Sequence, residues 1–142
     1  MVYEYLISES CDVYYNLALE EYIVRNIDLL NKSILFIYIN DPSVVLGKNQ
    51  NVFQEVNLKE FYNSSFKLAR RISGGGTVVH DNGNINFSFF EPYDLKRVNN
   101  YESSVDNIVR LLNELGLGCY MNERNAIFLN SGKKISGSAQ FS

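Results

Sequence analysis

Apolar residues recur at helical spacing in three segments of the chain. From Val13 to Asn26 they return about every 3.6 positions, and Asp12 stands where an N-cap residue is expected. A short helix is predicted over Asn57–Asn63, and a longer amphipathic helix over Glu102–Leu115, with Gly116 just past its end. The apolar stripe of the longer helix consists of Val105, Ile108, Val109, Leu112 and Leu115.

Shorter runs of β-branched and aromatic residues predict strands between and after these helices. Ile34 to Ile39 is the most continuous run, and Asn40-Asp41-Pro42 ends it. Asn82-Gly83 separates two β-rich runs, which favours a two-residue hairpin with a type I′ turn and positive φ at both residues. The predicted strands are 2–8, 34–39, 43–46, 66–72, 77–81, 84–90, 119–123, 126–129 and a last strand around Lys134. Hairpins of strands with helices between them predict one α+β domain, residues 1–142, built on a mixed sheet.

Composition and charge narrow the classes of function. The chain is 46% hydrophobic, which is enough for a core, and its net charge of −3 argues against a nucleic-acid partner. Cys11 and Cys119 lack CxxC spacing, and they predict two small core residues in a reducing compartment. The start of the chain shows no signal-peptide pattern, and no apolar run has membrane length, so a cytoplasmic protein without a membrane partner is predicted.

The segment RRISGGGTVVHDNGN, which begins at Arg70, carries the strongest functional signal. The triple glycine Gly74–Gly76 has no Cβ atoms, so its backbone can adopt positive φ, lie against a ligand and turn N–H groups toward an anion. Arg71, with Arg70 as a further candidate, can supply fork-shaped donors for a carboxylate or a phosphate.

The glycines do not fit the common nucleotide motifs. A phosphate loop would need a glycine five residues before Gly47, where Pro42 stands, and Val79 breaks the dinucleotide pattern after the triple glycine. Local chemistry alone therefore leaves a structural turn and a ligand cradle about equally supported.

The sequence RRISGGGTVVHDNGNINFSF resembles the signature loop of the lipoate–protein ligase A family. Three more segments match that family in the same order along the chain: NLALEE from Asn16, PSVVLGKNQN from Pro42 and KISGSAQ from Lys134. The resemblance covers almost the whole chain and implies a partial, C-terminally truncated catalytic domain over residues 1–142. The fold it implies is α+β, with the mixed sheet and packed helices of class II aminoacyl-tRNA synthetases and biotin/lipoyl synthetases.

The resemblance also implies a two-step reaction. Lipoate and ATP, the latter with Mg²⁺, would give lipoyl-AMP and pyrophosphate, and an acceptor lysine would then take the lipoyl group as an amide. The implied acceptors are lipoyl domains of 2-oxoacid dehydrogenase complexes or the glycine cleavage H protein. The residues implied for ATP and lipoyl-AMP are Arg71, Gly76, Thr77, Val78, Val79 and Lys134. Those implied for the lipoyl group are Ser73, Gly74, Gly75 and Lys134. Further candidates are Arg70, His80, Asp81, Asn84, Asn125 and Gly137, and no resident metal site is predicted.

Lys134 matches the family's catalytic lysine. A lipoate carboxylate and an ATP α-phosphate repel each other, and a cation that touches both offsets the repulsion and stabilises the transition state. The alternative is an exposed strand lysine, and alternation along the strand would place Lys133 on the other face. For the only histidine, His80, a structural hydrogen-bonding role or a contact near the nucleotide is favoured over general base catalysis.

One departure from the family bears on activity. Ala126 stands where the family has an aspartate, and loss of that carboxylate puts adenylation in question if it helps to hold Mg²⁺. The alternatives are an octanoyl- or lipoyltransferase of the same fold, which needs no ATP, and a non-catalytic ligand-binding fragment or one half of a split ligase. A biotin ligase is disfavoured, because its glycine loop differs from SGGGTVV. The implied truncation would leave an open sheet edge, so a second subunit or self-association is also expected.

Overall fold

The computed structural model describes residues 3–30, 32–92 and 102–141, which fall into two compact units. The first unit contains the described residues up to Pro92 together with Phe141, and the second contains Glu102 to Gln140. Val2, the first residue of the predicted opening strand, lies outside the described residues. Each unit has its own core.

The first unit combines strands and helices in the order that the α+β prediction requires. Its elements are β1 (Tyr3–Ile7), α1 (Val13–Asn26), β2 (Ser33–Ile39), β3 (Ser43–Leu46), α2 (Val52–Glu55), α3 (Leu58–Tyr62), β4 (Lys67–Arg70), β5 (Val78–His80) and β6 (Ile85–Phe90). The α+β class is confirmed, and α2, which Asn51 caps, was not foreseen. Four residues leave too little room for a periodic pattern to show in the sequence.

Two mixed three-stranded sheets take the place of one larger sheet. The first has the order β1-β2-β6, with β1 parallel and β6 antiparallel to β2. The second has the order β4-β3-β5, with β4 parallel and β5 antiparallel to β3. The core behind the first sheet is formed by Ile23, Ile34, Phe36, Tyr38 and Phe90, and the core behind the second by Val13, Val45 and Ala69.

The helix α1 starts and packs as its sequence predicts. The Asp12 carboxylate accepts hydrogen bonds from the backbone N–H of Tyr14 at 2.7 Å and of Tyr15 at 3.2 Å, which satisfies two free donors of the first turn. Val13 and Ile23 are fully buried on the face that meets the two sheets, which is why an amphipathic helix is stable here.

The predicted Asn82-Gly83 hairpin is wrong. Val78 pairs with Val45 of β3, whereas the strand after the turn, β6, pairs with β2. The turn therefore carries the chain from one sheet to the other, and neither Asn82 nor Gly83 has positive φ. Asp81 closes the turn instead: its carbonyl accepts from the N–H of Asn84 at 3.0 Å and its carboxylate from the N–H of Gly83 at 2.9 Å.

The second unit packs one helix on an antiparallel sheet. Its elements are α4 (Glu102–Glu114), β7 (Cys119–Met121), β8 (Ile127–Leu129) and β9 (Lys134–Ser136), in the sheet order β7-β8-β9. Val105, Cys119 and Ile127 form its buried core, with Ile108, Val109 and Leu112 packed against them. Leu115 was expected on this stripe but is 69% exposed, because the helix ends at Glu114 and the chain turns away through Gly116 at φ 86°.

One cysteine differs from its predicted environment. Cys119 is buried as expected, but Cys11 is exposed in the segment before α1, so only one of the two is a core residue. Both are free thiols. In the described ranges, no helix combines the length and the apolar character that a membrane crossing demands.

Candidate functional site

The glycine loop, defined here as Ser73–Thr77, leads from β4 toward β5. Only Gly75 uses the conformational freedom of glycine, with φ at 86°, whereas Gly74 and Gly76 keep ordinary φ values. A Cβ atom added at Gly74 or Gly76 would meet nothing within 4 Å, so the space beside both backbones is open. The loop thus offers an uncovered stretch of main chain at which a ligand has room to approach.

The Arg71 guanidinium lies beneath this loop and binds its carbonyl groups. Its Nη2 donates to the carbonyl oxygens of Gly74 at 2.6 Å and Gly76 at 2.7 Å, and its Nε donates to the Ser73 hydroxyl at 3.1 Å. Nη1 reaches the carbonyl of Val45 in β3 at 3.3 Å. Burial lowers the pKa of Arg71, but an arginine stays protonated, so a fixed positive charge supports the loop.

A second loop lies directly against the glycine loop. This 47–50 loop, Gly47–Gln50, follows β3, and the N–H of Lys48 donates to the carbonyl of Ser73 at 2.9 Å. The Thr77 hydroxyl donates to Gln50 Oε1 at 2.5 Å. Gly47 is buried against the carbonyl of Gly75, where no side chain would fit. The two loops therefore form one connected piece of structure.

An acidic side chain of α1 lies close enough to Arg71 to interact with its charge. Glu20 Oε1 accepts hydrogen bonds from the Tyr38 hydroxyl at 3.0 Å and from the Ser88 hydroxyl. Burial raises the pKa of the Glu20 carboxyl, while the two hydrogen bonds and the Arg71 charge act against that rise. Burial, together with Glu20, also raises the pKa of the Tyr38 phenol.

Sequence reasoning did not foresee a role for Glu20. One signal was available in the sequence: Glu20 lies four residues after Asn16 and three before Ile23, so the three share one face of α1. The structure buries Asn16 and Ile23 on that face, and the partly buried Glu20 carboxylate is hydrogen-bonded to Tyr38 and Ser88.

His80 ends a chain of buried amides. The Ser8 hydroxyl donates to Asn16 Oδ1 at 2.6 Å, Asn16 Nδ2 donates to Asn40 Oδ1 at 2.8 Å, and Asn40 Nδ2 lies 3.0 Å from His80 Nδ1. Since Asn40 Nδ2 is a donor, His80 Nδ1 accepts, and the ring of a neutral histidine then carries its proton on Nε2. Burial and the Arg71 charge lower the pKa of His80, which favours this neutral form over an imidazolium ion.

The other predicted site residues of the first unit lie in β5, at the turn that follows it and at the end of β4. Val78 and Val79 are exposed in β5, and Asp81 is exposed at the turn that follows. Asn84 Nδ2 donates to Asn86 Oδ1 at 3.0 Å. Arg70 is exposed, and its Nη1 contacts carbonyl groups of the 47–50 loop.

Lys134, Asn125 and Gly137 lie in the second unit. Lys134 begins β9 and is exposed, and its ammonium group lies over Gly137, where a Cβ atom would stand 3.6 Å from Nζ. Asn125 adopts φ of 56°, and its carbonyl accepts from the Ser138 hydroxyl at 2.7 Å. The candidate lysine is thus an exposed cation at the surface of its own unit, with no ion pair to a described carboxylate, and Lys133 beside it is exposed as well.

Ala126 is almost fully buried in this unit. It is 5% exposed next to the core residue Ile127, and its N–H donates to Asn122 Oδ1 at 3.0 Å. Within the part of the chain that the structure describes, no three His, Cys, Asp or Glu side chains come together as a group that could hold a metal ion.

Comparison of the whole sequence with known families gives one clear match. Residues 12–142 match the lipoyl protein ligase A/B catalytic domain. The chain is 42% identical over 126 residues to the lipoate-protein ligase LplJ of Bacillus subtilis, covering 89% of this chain and 38% of the relative. It is 45% identical over 134 residues to the human mitochondrial lipoyl amidotransferase LIPT1, covering 93% of this chain and 35% of the relative. The chain therefore spans less than two fifths of the length of these relatives.

Solved structures show the same fold. A bi-partite lipoate protein ligase of Thermoplasma acidophilum, studied with its E2 lipoyl domain, superposes with a TM-score of 0.89 at 33% identity, over 98% of this chain and 56% of that one. A second T. acidophilum structure, a lipoate protein ligase with bound lipoic acid, gives 0.87 at 32% identity, over 98% and 62%. A lipoate-protein ligase A bound with ATP gives 0.85 at 31% identity, over 98% and 61%.

Proposed function

We propose that this chain, which belongs to the lipoyl protein ligase A/B catalytic domain family, forms the substrate-binding part of an ATP-dependent lipoate–protein ligase. The observation that carries the proposal is the glycine loop, whose open main chain at Gly74 and Gly76 is supported by the Arg71 cation. An anionic ligand with an extended apolar body matches such a loop, because free backbone and positive charge occur together. Lipoate and a nucleotide both carry the anionic group, and lipoate adds the apolar chain.

In this proposal the reaction proceeds through a mixed anhydride. The lipoate carboxylate attacks the α-phosphate of ATP, pyrophosphate leaves, and the ε-amine of an acceptor lysine then displaces AMP. Ser73, Gly74 and Gly75 contact the lipoyl group, and Arg71 with Gly76 to Val79 contacts the phosphate. The Lys134 ammonium supplies the charge that offsets repulsion between carboxylate and phosphate. The free, exposed state of Lys134 supports this role, since no carboxylate among the described residues is within ion-pair distance of it.

Magnesium enters this proposal with the nucleotide. MgATP brings its own cation, and the described residues do not assemble a carboxylate cluster for a resident one. Ala126 adds a buried methyl group where a carboxylate would otherwise be available. Phosphate charge would then be neutralised by the nucleotide's own Mg²⁺, by Arg71 and by Lys134.

A lipoyl- or octanoyltransferase is the second candidate, and two observations favour it. The buried Ala126 removes a carboxylate that the resemblance links to Mg²⁺, and the 45% identity is to a relative called an amidotransferase. A transferase would take the acyl group from an already activated donor and would not consume ATP.

The two candidates differ in what the completed protein does with ATP. The chain, complemented by the polypeptide or the second copy that completes it, would be given lipoate and MgATP, and pyrophosphate and AMP would be measured, with lipoyl-AMP supplied in a parallel reaction. A ligase forms pyrophosphate from lipoate and ATP. A transferase forms none, yet moves the lipoyl group from a preformed donor to a lipoyl domain, which mass spectrometry detects. Binding of lipoate or lipoyl-AMP without either reaction would leave the non-catalytic ligand-binding fragment, and failure to bind lipoate, lipoyl-AMP and ATP would overturn all three.

The partners follow from the same proposal. The acceptor is a lipoyl domain, and a second polypeptide or a second copy of the chain completes the ligase, as the bi-partite T. acidophilum relative suggests. The compartment is the cytoplasm, in keeping with the free thiols of Cys11 and Cys119. Sedimentation of the chain alone and with a lipoyl domain would measure both associations.

A further inference from the structure

Two consecutive arginines at the end of β4 hold two different loops. Arg71 binds the glycine loop, whereas Arg70 binds the 47–50 loop. One nitrogen of Arg70, Nη1, lies 2.8 Å from the carbonyl oxygen of Gly47, 3.3 Å from that of Lys48 and 2.7 Å from that of Gln50. Carbonyl oxygens that point at one spot repel each other, so a cation among them is needed for this backbone shape.

The 47–50 loop contacts the glycine loop and so fixes the position of its backbone. Three of its four residues contact a different residue of the glycine loop: Gly47 contacts Gly75, Lys48 contacts Ser73, and Gln50 contacts Thr77. These residues include two of the positions implied for the lipoyl group, Ser73 and Gly75, and one implied for the nucleotide, Thr77. A shift of the 47–50 loop would therefore move the main chain to which the substrates bind.

We propose that Arg70 is a positioning residue of the ligand site: it fixes the 47–50 loop and, through that loop, holds the glycine loop in its binding shape. The inference rests on the function proposed above. It assigns Arg70 a role in shaping the loop that the sequence did not indicate, because one guanidinium nitrogen, Nη1, is shared among three carbonyl oxygens.

Because Arg70 is exposed, its replacement should change the local structure of the two loops but not the stability of the whole chain. An exposed cation contributes little to global stability, so Arg70→Ala should leave thermal unfolding almost unchanged. The local effect should be large. The Lys48 N–H, which donates to Ser73, should exchange with solvent about tenfold faster in the ligand-free variant. The dissociation constant for lipoate should rise by about tenfold as well, because the main chain that contacts the ligand would no longer be held in its binding shape.

A matched control and a chemical rescue separate positioning from other roles. Arg25 is also exposed, and its guanidinium forms an ion pair with the neighbouring Glu21 carboxylate on α1, at 2.6 Å. This contact includes no residue of either loop, so Arg25→Ala should alter neither measurement. Free guanidinium ion at low concentration should occupy the place of the missing Arg70 group. It should restore both Lys48 protection and lipoate affinity in Arg70→Ala, and it should change nothing in Arg25→Ala.

The other possible results for Arg70→Ala would contradict the positioning role. Normal Lys48 exchange and normal lipoate affinity in Arg70→Ala would overturn the inference. Weaker lipoate binding with unchanged Lys48 exchange would also overturn it, since Arg70 would then bind the ligand directly. If the unmodified chain binds neither lipoate nor lipoyl-AMP, the proposed function fails, while the exchange of Lys48 still shows whether Arg70 holds the loops.

Discussion

Gly47 lies so close to Gly75 that a Cβ atom on residue 47 would stand 2.1 Å from the Gly75 carbonyl oxygen. The obstacle is backbone, which cannot rotate away as the end of a side chain can. The two glycines therefore have different tasks. Gly75 provides a positive φ, and Gly47 provides the space into which the glycine loop is packed.

Replacing Gly47 by alanine should separate the two loops. The added methyl group has no room, so we expect the free energy of unfolding to fall by about 1–3 kcal/mol, as for other overpacked positions. Urea unfolding followed by circular dichroism measures this change. Gly74→Ala is the matched control, because a Cβ there meets nothing within 4 Å and its φ is not positive. Equal stability of the two variants would contradict the close packing at Gly47.

Lys134→Ala should abolish adenylation under the proposed function and leave the fold intact. The side chain is exposed, so its loss removes no packing, while the missing charge should slow lipoyl-AMP formation by about 10²–10³-fold. Pyrophosphate release with lipoate and ATP is the measurement. Lys133→Ala is the control and should stay near the parent rate. A Lys134→Ala chain with normal adenylation would show that this lysine has no part in the reaction.

His80 should titrate below the usual histidine range. The folded chain resists its protonation while the unfolded chain takes up a proton near pH 6.5, so the free energy of unfolding should decrease as pH drops below 6.5. Because His80 is the only histidine, its imidazole signals can be followed by NMR without assignment by mutation. They should report the neutral ring with the proton on Nε2.

Asn40→Asp tests the cause of that behaviour. A carboxylate at position 40 accepts a hydrogen bond where the amide donated one, so it should raise the pKa of His80 and move the ring proton to Nδ1. Asn63→Asp adds the same charge at an exposed position after α3 and should leave the His80 titration in place. An unchanged pKa in Asn40→Asp would mean that the Asn40 amide does not control the ring.

Glu20→Gln should stabilise the chain at neutral pH. Because burial raises the pKa of Glu20, the folded chain keeps this proton to a higher pH than the unfolded chain does. The free energy of unfolding must then fall as pH rises from 4.5 through the folded pKa. Glutamine removes the charge and still offers an acceptor to Tyr38 and Ser88. The difference in urea stability between variant and parent should grow from acid to neutral pH, and a constant difference would contradict a partly buried, destabilised carboxylate.

The sequence by itself determined the features that depend on neighbouring residues. The helix α1 could be predicted from periodicity and from Asp12, because a helix closes its hydrogen bonds within one segment and a cap acts over three residues. The same holds for α3, which begins after Asn57 as predicted. The family could be identified for a related reason: glycines, arginines and a lysine in fixed local order mark a site before its geometry is known.

Only the tertiary structure decided which groups those residues meet. Whether Asn82-Gly83 makes a hairpin depends on which strands accept β5 and β6, and both partners lie far away in the sequence. The hairpin prediction failed because β5 forms its hydrogen bonds with β3, and β6 forms its hydrogen bonds with β2, so the two strands do not pair with each other. Cys11 and Leu115 proved exposed because burial depends on what packs against a segment, which its own residues do not specify.

Arg70 and Arg71 show the same difference between what the sequence indicates and what the tertiary structure determines. The sequence suggested Arg71 as an anion donor and Arg70 as a further candidate, but it did not indicate which oxygens either guanidinium group binds. The fold turns them toward different oxygens. Arg70 binds the carbonyls of Gly47 and Gln50, which lie twenty or more residues earlier in the chain, whereas Arg71 binds the loop that follows it. A guanidinium group donates to the acceptors that lie within hydrogen-bond distance, and the tertiary fold determines which acceptors those are.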